Sequence, residues 1–373
     1  MTHETLSSSS SQAPATASAW TVTTRNRASS VAALLIVAVL LAGIAAPFFA
    51  SRSVLQDLFF ILTMLTLAQC WNLLAGYAGL VSVGQQAFVG FGAYVMAASV
   101  ALGGFDPVVA ILFGGLAAML LSVPTAFFVF RLHGAYFAIG TWVIAEVVRL
   151  LLAQWKALGG GTGTSLPTGV ARELPGVRLV ADWFGVRPAQ AADMVYYWLA
   201  LLLACAAIGF AYRLLRSKQG LGLAAVRDNG QAARAVGIDP NRIRFAVYLA
   251  AAFVTGLAGA LIYLQKARIS PDAAFSVTDW TAYVIFIVVI GGIGTIEGPI
   301  VGVIVFFILR NLFADYGSWY LLVLGLLGIA VMLFAPRGLW GLFTERTGIQ
   351  LFPVRRILAG GPLTKTIKGG PHG

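Results

Sequence analysis

Polar side chains are scarce in this sequence, so those that fall inside apolar runs are the first candidates for chemistry. Glu146 and Arg149 stand three residues apart within the run 135–155. Ionised groups inside a membrane are costly and often mark solute or proton pathways. Three apart on a helix they can also neutralise one another, so the pair reads as a structural ion pair, with a substrate site as the alternative. Ser82, Gln85 and Gln86 are the polar members of GYAGLVSVGQQAFVGFGAYVMA, residues 76–97. Catalytic groupings are missing. The histidines are His3, His133 and His372, and the cysteines are Cys70 and Cys205, each inside an apolar stretch. Both cysteines read as small buried hydrophobes rather than a disulfide or a metal pair. No HExxH helix or nucleophile elbow occurs. The stretch 155–167, WKALGGGTGTSLP, has the Gly/Thr content of a phosphate loop without its Gly-Lys-Ser/Thr ending. The expectation is therefore a chain that is not an enzyme, with no catalytic residues, no metal and no cofactor of its own.

The elements that must position these residues are membrane helices. The chain has 373 residues, of which 59% are hydrophobic and 10% charged. Soluble domains carry roughly 25% charged residues, so most of this surface must face lipid. The net charge of +11 does not point to nucleic acid, because the basic residues sit in short segments between apolar runs. Those runs are 31–50, 54–75, 84–102, 107–130, 135–155, 194–212 and 245–264, followed by 280–309 and 319–334. The first is longer than the core of a signal peptide and lacks a clear cleavage site, so it reads as a retained helix.

The stretch 280–309 is broken by Gly291-Gly292-Ile293-Gly294 and Gly298-Pro299, and reads as one long span or two short ones. The distribution of Lys and Arg chooses two. With ten helices and a cytoplasmic N-terminus, sixteen positive residues lie inside and eight outside, whereas a single span would move the six from Arg337 to Lys368 outside. The expected fold is all-α, a polytopic bundle of about ten transmembrane helices over 31–335. A disordered tail over 1–30 and a basic tail over 336–373, both cytoplasmic, flank it, with a periplasmic loop at 156–193 and a cytoplasmic loop at 214–241. Gly298-x-x-x-Gly302 and Ala110-x-x-x-Gly114 are small-residue pairs that let helices approach closely.

Two readings of residues 76–97 stand side by side. Non-helical backbone at membrane depth persists only where it is buried in protein or lines a wet cavity. On one reading Gly79, Ser82, Gly84, Gln85, Gln86 and Gly90 belong to a broken segment at a translocation path. On the other they form a packed helix start with cytoplasmic glutamines. The second segment of interest is 220–244, GLGLAAVRDNGQAARAVGIDPNRIR. Its Gly220-Leu-Gly222 start is no dinucleotide loop, because no strand precedes it. Asp228 or Asn229 can cap a short helix, Gly237 can end it in the left-handed conformation, and Pro240 follows. Ala232, Ala233 and Val236 form a small apolar face, while Gln231 and Arg234 can point to water. Such a helix suits docking in a groove on another protein, and an ordinary structured loop is the alternative.

From about Leu55 to Leu342 the sequence resembles the permeases of the branched-chain amino acid ABC transporter family, LivM type. The likeness rests on NLLAGYAGLVSVGQQAFVGFGAY, on GAYFAIGTWVIAEVVRLL with the following GGGTG, on GLGLAAVRDNGQAARAVGIDPNRIRFAVYLAAAFVTGLAGAL, on GGIGTIEGPIVG and on APRGLWGLF. The resemblance implies a multi-pass half-channel in a bacterial inner membrane, among membrane lipids and paired with a second homologous permease. Two cytoplasmic ATP-binding subunits, which use ATP and Mg, and a periplasmic solute-binding protein would complete an importer of branched-chain amino acids. It also implies that Arg227, Asp228, Asn229, Ala232, Ala233, Arg234, Val236 and Gly237 belong to the ATPase-docking element. Where the family often carries a histidine, this chain has Gln85, which leaves urea or short-chain amides as the alternative solutes. An ion-coupled secondary transporter would need an intramembrane carboxylate, for which Glu146 is the candidate.

Overall fold

Small oxygen-bearing side chains and prolines set where the helices begin. Ser51 Oγ accepts from Val54 N, Asp106 Oδ1 from Val108 N ahead of Pro107, and Asp239 Oδ1 from Asn241 N ahead of Pro240. Each cap satisfies a donor that a helix start leaves free, and a proline in the first turn costs no hydrogen bond. The computed structural model describes residues 21–23, 27–167, 169–170, 174, 176–313, 319–347, 351–352 and 357–359. The tail expected over 1–30 and the distal part of the C-terminal tail fall largely outside them.

The helices run in the order α1 (Arg27–Phe49), α2 (Arg52–Asn72), α3 (Gln85–Ala101), α4 (Pro107–Val129), α5 (Ala135–Ala153), α6 (Val177–Phe184) and α7 (Pro188–Arg216). Then come α8 (Lys218–Asp228), α9 (Gly230–Ala235), α10 (Pro240–Lys266), α11 (Pro271–Ala274), α12 (Tyr283–Gly291), α13 (Glu297–Phe313), α14 (Trp319–Phe334) and α15 (Gly338–Thr347). Two small antiparallel pairs depart from an all-helical fold: Thr21–Thr23 with Ile357–Ala359, and Thr164–Ser165 with Arg268–Ile269.

Among the described residues, seven helical stretches are long and apolar enough to cross a membrane: Arg52–Tyr77, Pro107–Val129, Ala135–Ala153, Pro188–Arg216, Pro240–Lys266, Pro271–Gly291 and Leu321–Thr347. A crossing takes about 20 residues. Helices α3 and α13 have 17 residues each, and α1 carries the apolar run that begins at Val31. A count of ten crossings requires these three to span as well.

The stretch 280–309 is two helices. Helices α12 and α13 form an antiparallel hairpin in which Gly291 abuts Gly298, Gly302 abuts the Ile287 carbonyl, and the tilted rings of Tyr283 and Phe306 meet with centroids 5.0 Å apart. The basic tail expected from 336 begins inside the fold, because α15 starts against this hairpin, with Gly338 touching Gly292. A second knot of close packing joins α3, α4 and α10. A methyl group at Gly92 would lie 2.5 Å from the Gly256 carbonyl, and one at Gly114 would lie 2.5 Å from the Gly92 carbonyl. Helix α1 lies along α7, where Tyr197 Oη donates to Gly43 O at 2.9 Å.

The bundle has two distinct ends. Residues 76–79, 292–296, α8, α9 and α15 meet at one. At the other lie the Thr164–Ser165 and Arg268–Ile269 pair and the Arg52–Asp193 ion pair. The two glycine-rich stretches near 76–84 and 291–298 thus share an end.

Gly302→Val should open the hairpin, since even a Cβ there falls 1.8 Å from the Ile287 carbonyl. Overpacking costs about 1–3 kcal/mol, so the detergent-solubilised variant should melt earlier and lose monodisperse yield on size exclusion. Gly325→Val, which meets open space, should behave as the parent chain.

Candidate functional site

The end of α2 loosens before the chain turns. Residues Leu73–Tyr77 form one π turn, and Gly79, at φ +70°, reverses direction. From 78 to 84 the backbone is not helical, yet it climbs back alongside α2. Trp71 Nε1 donates to Ser82 O at 2.8 Å, Val83 N to Thr141 Oγ1 at 3.0 Å, and Gly84 N to Ser82 Oγ at 3.2 Å. Gln85 Nε2 then reaches Leu67 O at 2.9 Å. Leu67 lies more than two turns before Gly76 on α2, so the Gln85 side chain sits well inside the bundle.

Gln85 and Gln86 are buried in the protein interior rather than in a surface loop. The Thr281 hydroxyl donates to Gln86 Oε1, and Gln86 N donates to Thr281 Oγ1 at 3.4 Å. Gln85 Oε1 has no hydrogen-bond partner among the described residues. Gly84 and Gly90 permit close approach: a Cβ at Gly84 would fall 2.2 Å from Thr141 O, and one at Gly90 2.6 Å from the Phe275 ring. Gly79 is exposed and Ser82 buried. Of the six residues expected at a path, five are therefore enclosed by α2, α5, residues 275–281 and their own segment.

A clasp joins this segment to the second glycine-rich stretch. Asn72 Oδ1 accepts from Gly294 N at 2.8 Å, Asn72 Nδ2 donates to Thr295 O at 2.7 Å, and Gln69 Nε2 donates to Ile296 O at 2.7 Å. The sequence reading did not single out Gln69 and Asn72. Their three-residue spacing at the end of an apolar run was the available signal, since it puts two amides on one helix face. Glu297 was also missed. It is buried and accepts from Phe352 N at 2.8 Å, and the Phe352 ring rests on Tyr212 at 5.7 Å.

The capped segment takes the expected local form. Asn229 Oδ1 accepts from Gln231 N at 3.0 Å and Ala232 N at 3.1 Å, which makes Asn229 rather than Asp228 the cap. Gly237 follows at φ +83°, and Asp239 and Pro240 open α10. The apolar face is arranged differently from the expectation. Ala233 is 2% exposed and turned into the chain, whereas Ala232 is exposed and Val236 is 73% exposed. With α9 only six residues long, the side packed against the body takes one alanine and leaves the other outside. Arg234 is exposed. Arg227 pairs with Asp228 at 3.3 Å and also turns inward, where its Nη1 donates to Gly76 O at 3.2 Å. Arg244 Nε donates to Ala78 O at 3.2 Å. Two arginines thus tie α8 and α10 to the backbone where the unwound segment begins.

Glu146 and Arg149 do form an ion pair, at 2.5 Å, and a third member joins them. Arg149 Nη1 donates to Asp272 Oδ1 at 2.6 Å, which braces α5 against α11 near the opposite end. Among the described residues no group of His, Cys, Asp and Glu could hold a metal ion, and Cys70 and Cys205 are free thiols.

Residues 53–335 match the family described as branched-chain amino acid transport system / permease component. The chain is 30% identical over 317 residues to the high-affinity branched-chain amino acid transport system permease protein LivM of Escherichia coli (strain K12), covering 82% of this chain and 74% of that protein. The protein of the same description from Salmonella typhimurium is similar to the same extent. A probable branched-chain amino acid transport permease protein LivM of Methanocaldococcus jannaschii is 26% identical over 265 residues, 70% of each chain. No solved structure matches.

Asn72→Leu strips Gly294 N and Thr295 O of their partners. Leaving a buried backbone group unpaired costs about 1–3 kcal/mol, so the variant should melt several degrees lower. Hydrogen exchange at 292–296 should rise more than elsewhere.

Proposed function

The chain belongs to the branched-chain amino acid transport system permease family, and from that premise we propose that it is a channel subunit of an ATP-driven ABC importer moving branched-chain amino acids inward across a bacterial inner membrane. The observation that carries this reading is the mechanical link between a capped surface helix and an unwound interior segment. Ala232 on α9 and Val236 just after it face outward, and Arg227 at the end of α8 holds Gly76. A partner that moved α8 and α9 would pull on the backbone leading to Ser82, Gln85 and Gln86.

On this reading the partners are a second homologous permease, two cytoplasmic ATP-binding subunits that use ATP and Mg, and a periplasmic solute-binding protein. Ten helices cross the membrane with both termini inside, and the end carrying α8, α9 and α15 faces the cytoplasm. Arg227 serves as a coupling residue that faces its own subunit, while Ala232, Arg234 and Val236 meet the ATPase. Gly79, Ser82, Gly84, Gln85, Gln86 and Gly90 form the wall behind the path.

Urea or short amides remain the second solute class, because this chain has Gln85 where the family often carries a histidine. The buried Gln85 Oε1 is an acceptor without a partner among the described residues, and an N–H of either an amide or an ammonium would satisfy it. Ion-coupled transport has less support, because the Glu146 carboxylate is already engaged by Arg149.

Reporter fusions after Lys218 and after Arg346 should register as cytoplasmic, and one after Arg178 as periplasmic. An outside signal from the fusion after Arg346 would remove one crossing from the count. Docking is tested with Ala232→Glu. Burying an unpaired charge costs several kcal/mol, and about 1.4 kcal/mol is a tenfold loss of affinity. ATPase co-purification and solute uptake should therefore fall at least tenfold while the subunit stays inserted. Ala233→Glu, facing inward, should instead lower the yield of folded chain, and Arg234→Ala should do little. Normal uptake by Ala232→Glu would remove α9 as the docking element.

A further inference from the structure

At the end of the bundle away from α8 and α9, the first turns of α2, the end of α10, residues 279–283 and the last turns of α13 surround an open cavity of about 490 Å³. Asp57, Asp279, Lys266 and Arg310 all line it. None of the four makes an ion pair among the described residues. Two negative and two positive side chains therefore share one cavity without a contact ion pair, although Lys266 and Asp279 lie near enough to attract one another. The cations are seated on aromatic rings instead. Lys266 Nζ lies 4.9 Å from the Trp280 ring, and the Arg310 guanidinium 4.2 Å from the Phe60 ring. A cation–π contact steadies a cationic head yet leaves its N–H donors free for an oxyanion. The ionised carboxylates are acceptors only, suited to an ammonium group. Phe60 and Trp280 also supply apolar lining.

A solute that satisfies this lining carries one ammonium group, one anionic oxygen group and an apolar body. The volume falls within the roughly 300–1,000 Å³ typical of small-molecule sites. We propose that this cavity is a receiving site for a zwitterionic aliphatic amino acid, with Asp57 and Asp279 facing its ammonium and Lys266 and Arg310 its carboxylate. The assignment rests on the amino-acid reading of the transported solute, and adds that the membrane subunit itself discriminates. The headgroup of a zwitterionic lipid carries the same pair of charges, with phosphate in place of carboxylate, so the test must separate the two sources.

The test uses the full-length chain in phosphatidylglycerol nanodiscs with tritiated leucine. Competitors are leucinamide, which lacks the carboxylate, and 4-methylpentanoate, which lacks the ammonium. Leucine should bind saturably, with each one-charge analogue at least tenfold weaker. Lys266→Gln and Arg310→Gln should each weaken leucine tenfold or more and leave leucinamide unchanged. Asp279→Asn and Asp57→Asn should weaken leucine and leave 4-methylpentanoate unchanged. Absence of saturable leucine binding, unchanged affinity in the variants, or equal weakening of all three ligands overturns the proposal. So does loss of leucine binding when phosphatidylethanolamine is added, which would assign the cavity to lipid. Leucine uptake in cells lacking the gene separates the two readings. Uptake that persists without the gene removes the amino-acid reading, whereas uptake that needs the gene, with no binding by the isolated chain, removes only this site.

Discussion

Backbone polar groups at membrane depth have no water to bond, so each must find a partner inside the protein. Residues 78–84 carry that constraint for the whole structure. Their groups reach Trp71, Thr141 and Ser82 because α2 and α5 stand on either side at the right height. The segment also explains why α3 has only 17 residues. Its first turn begins beside the middle of α2, where the side chains of Gln85 and Gln86 take over from backbone pairing.

Glycine supplies the closeness this requires. Apolar side chains gain little by burying against one another in lipid, so helices that must touch do so through small residues and direct backbone packing. The contacts of Gly92, Gly114 and Gly256 draw α3, α4 and α10 together behind the unwound segment. Those of Gly291, Gly298 and Gly302 close the α12–α13 hairpin in front of it. Between the two knots, Gln69 and Asn72 hold the 294–296 turn with three side-chain hydrogen bonds. Arg227 ties α8 to Gly76, where the chain leaves α2 for the segment that ends at the interior glutamines.

Two neighbouring groups of charges at the end away from α8 and α9 are arranged differently. Near α11, Glu146, Arg149 and Asp272 are mutually engaged and act as a brace. Around the neighbouring cavity, Asp57, Asp279, Lys266 and Arg310 form no contact ion pair among the described residues. A brace gains from neutralisation, whereas a site for a charged solute loses its donors and acceptors if they satisfy each other first.

Features set by a few neighbouring residues were legible in the sequence. The scarcity of charge required a membrane, apolar runs marked candidate spans, and a cap at Asp228 or Asn229 with Gly237 and Pro240 delimited α9 and the start of α10. The three-residue spacing of Glu146 and Arg149 brought them within reach of one another on a single helix. What the sequence left open depended on contacts between residues far apart in the chain. Asp272 joins Arg149 across 123 positions, and Asn72 meets Thr295 across 223. No local period encodes such pairings. The inward turn of Ala233 was hidden for the same reason, since a six-residue helix has two usable faces and only the body it packs on selects one. The depth of Gln85 and Gln86 likewise became visible only when α2 supplied Leu67 as a ruler. Local chemistry determined which elements form, and three-dimensional packing decided which of their faces meet.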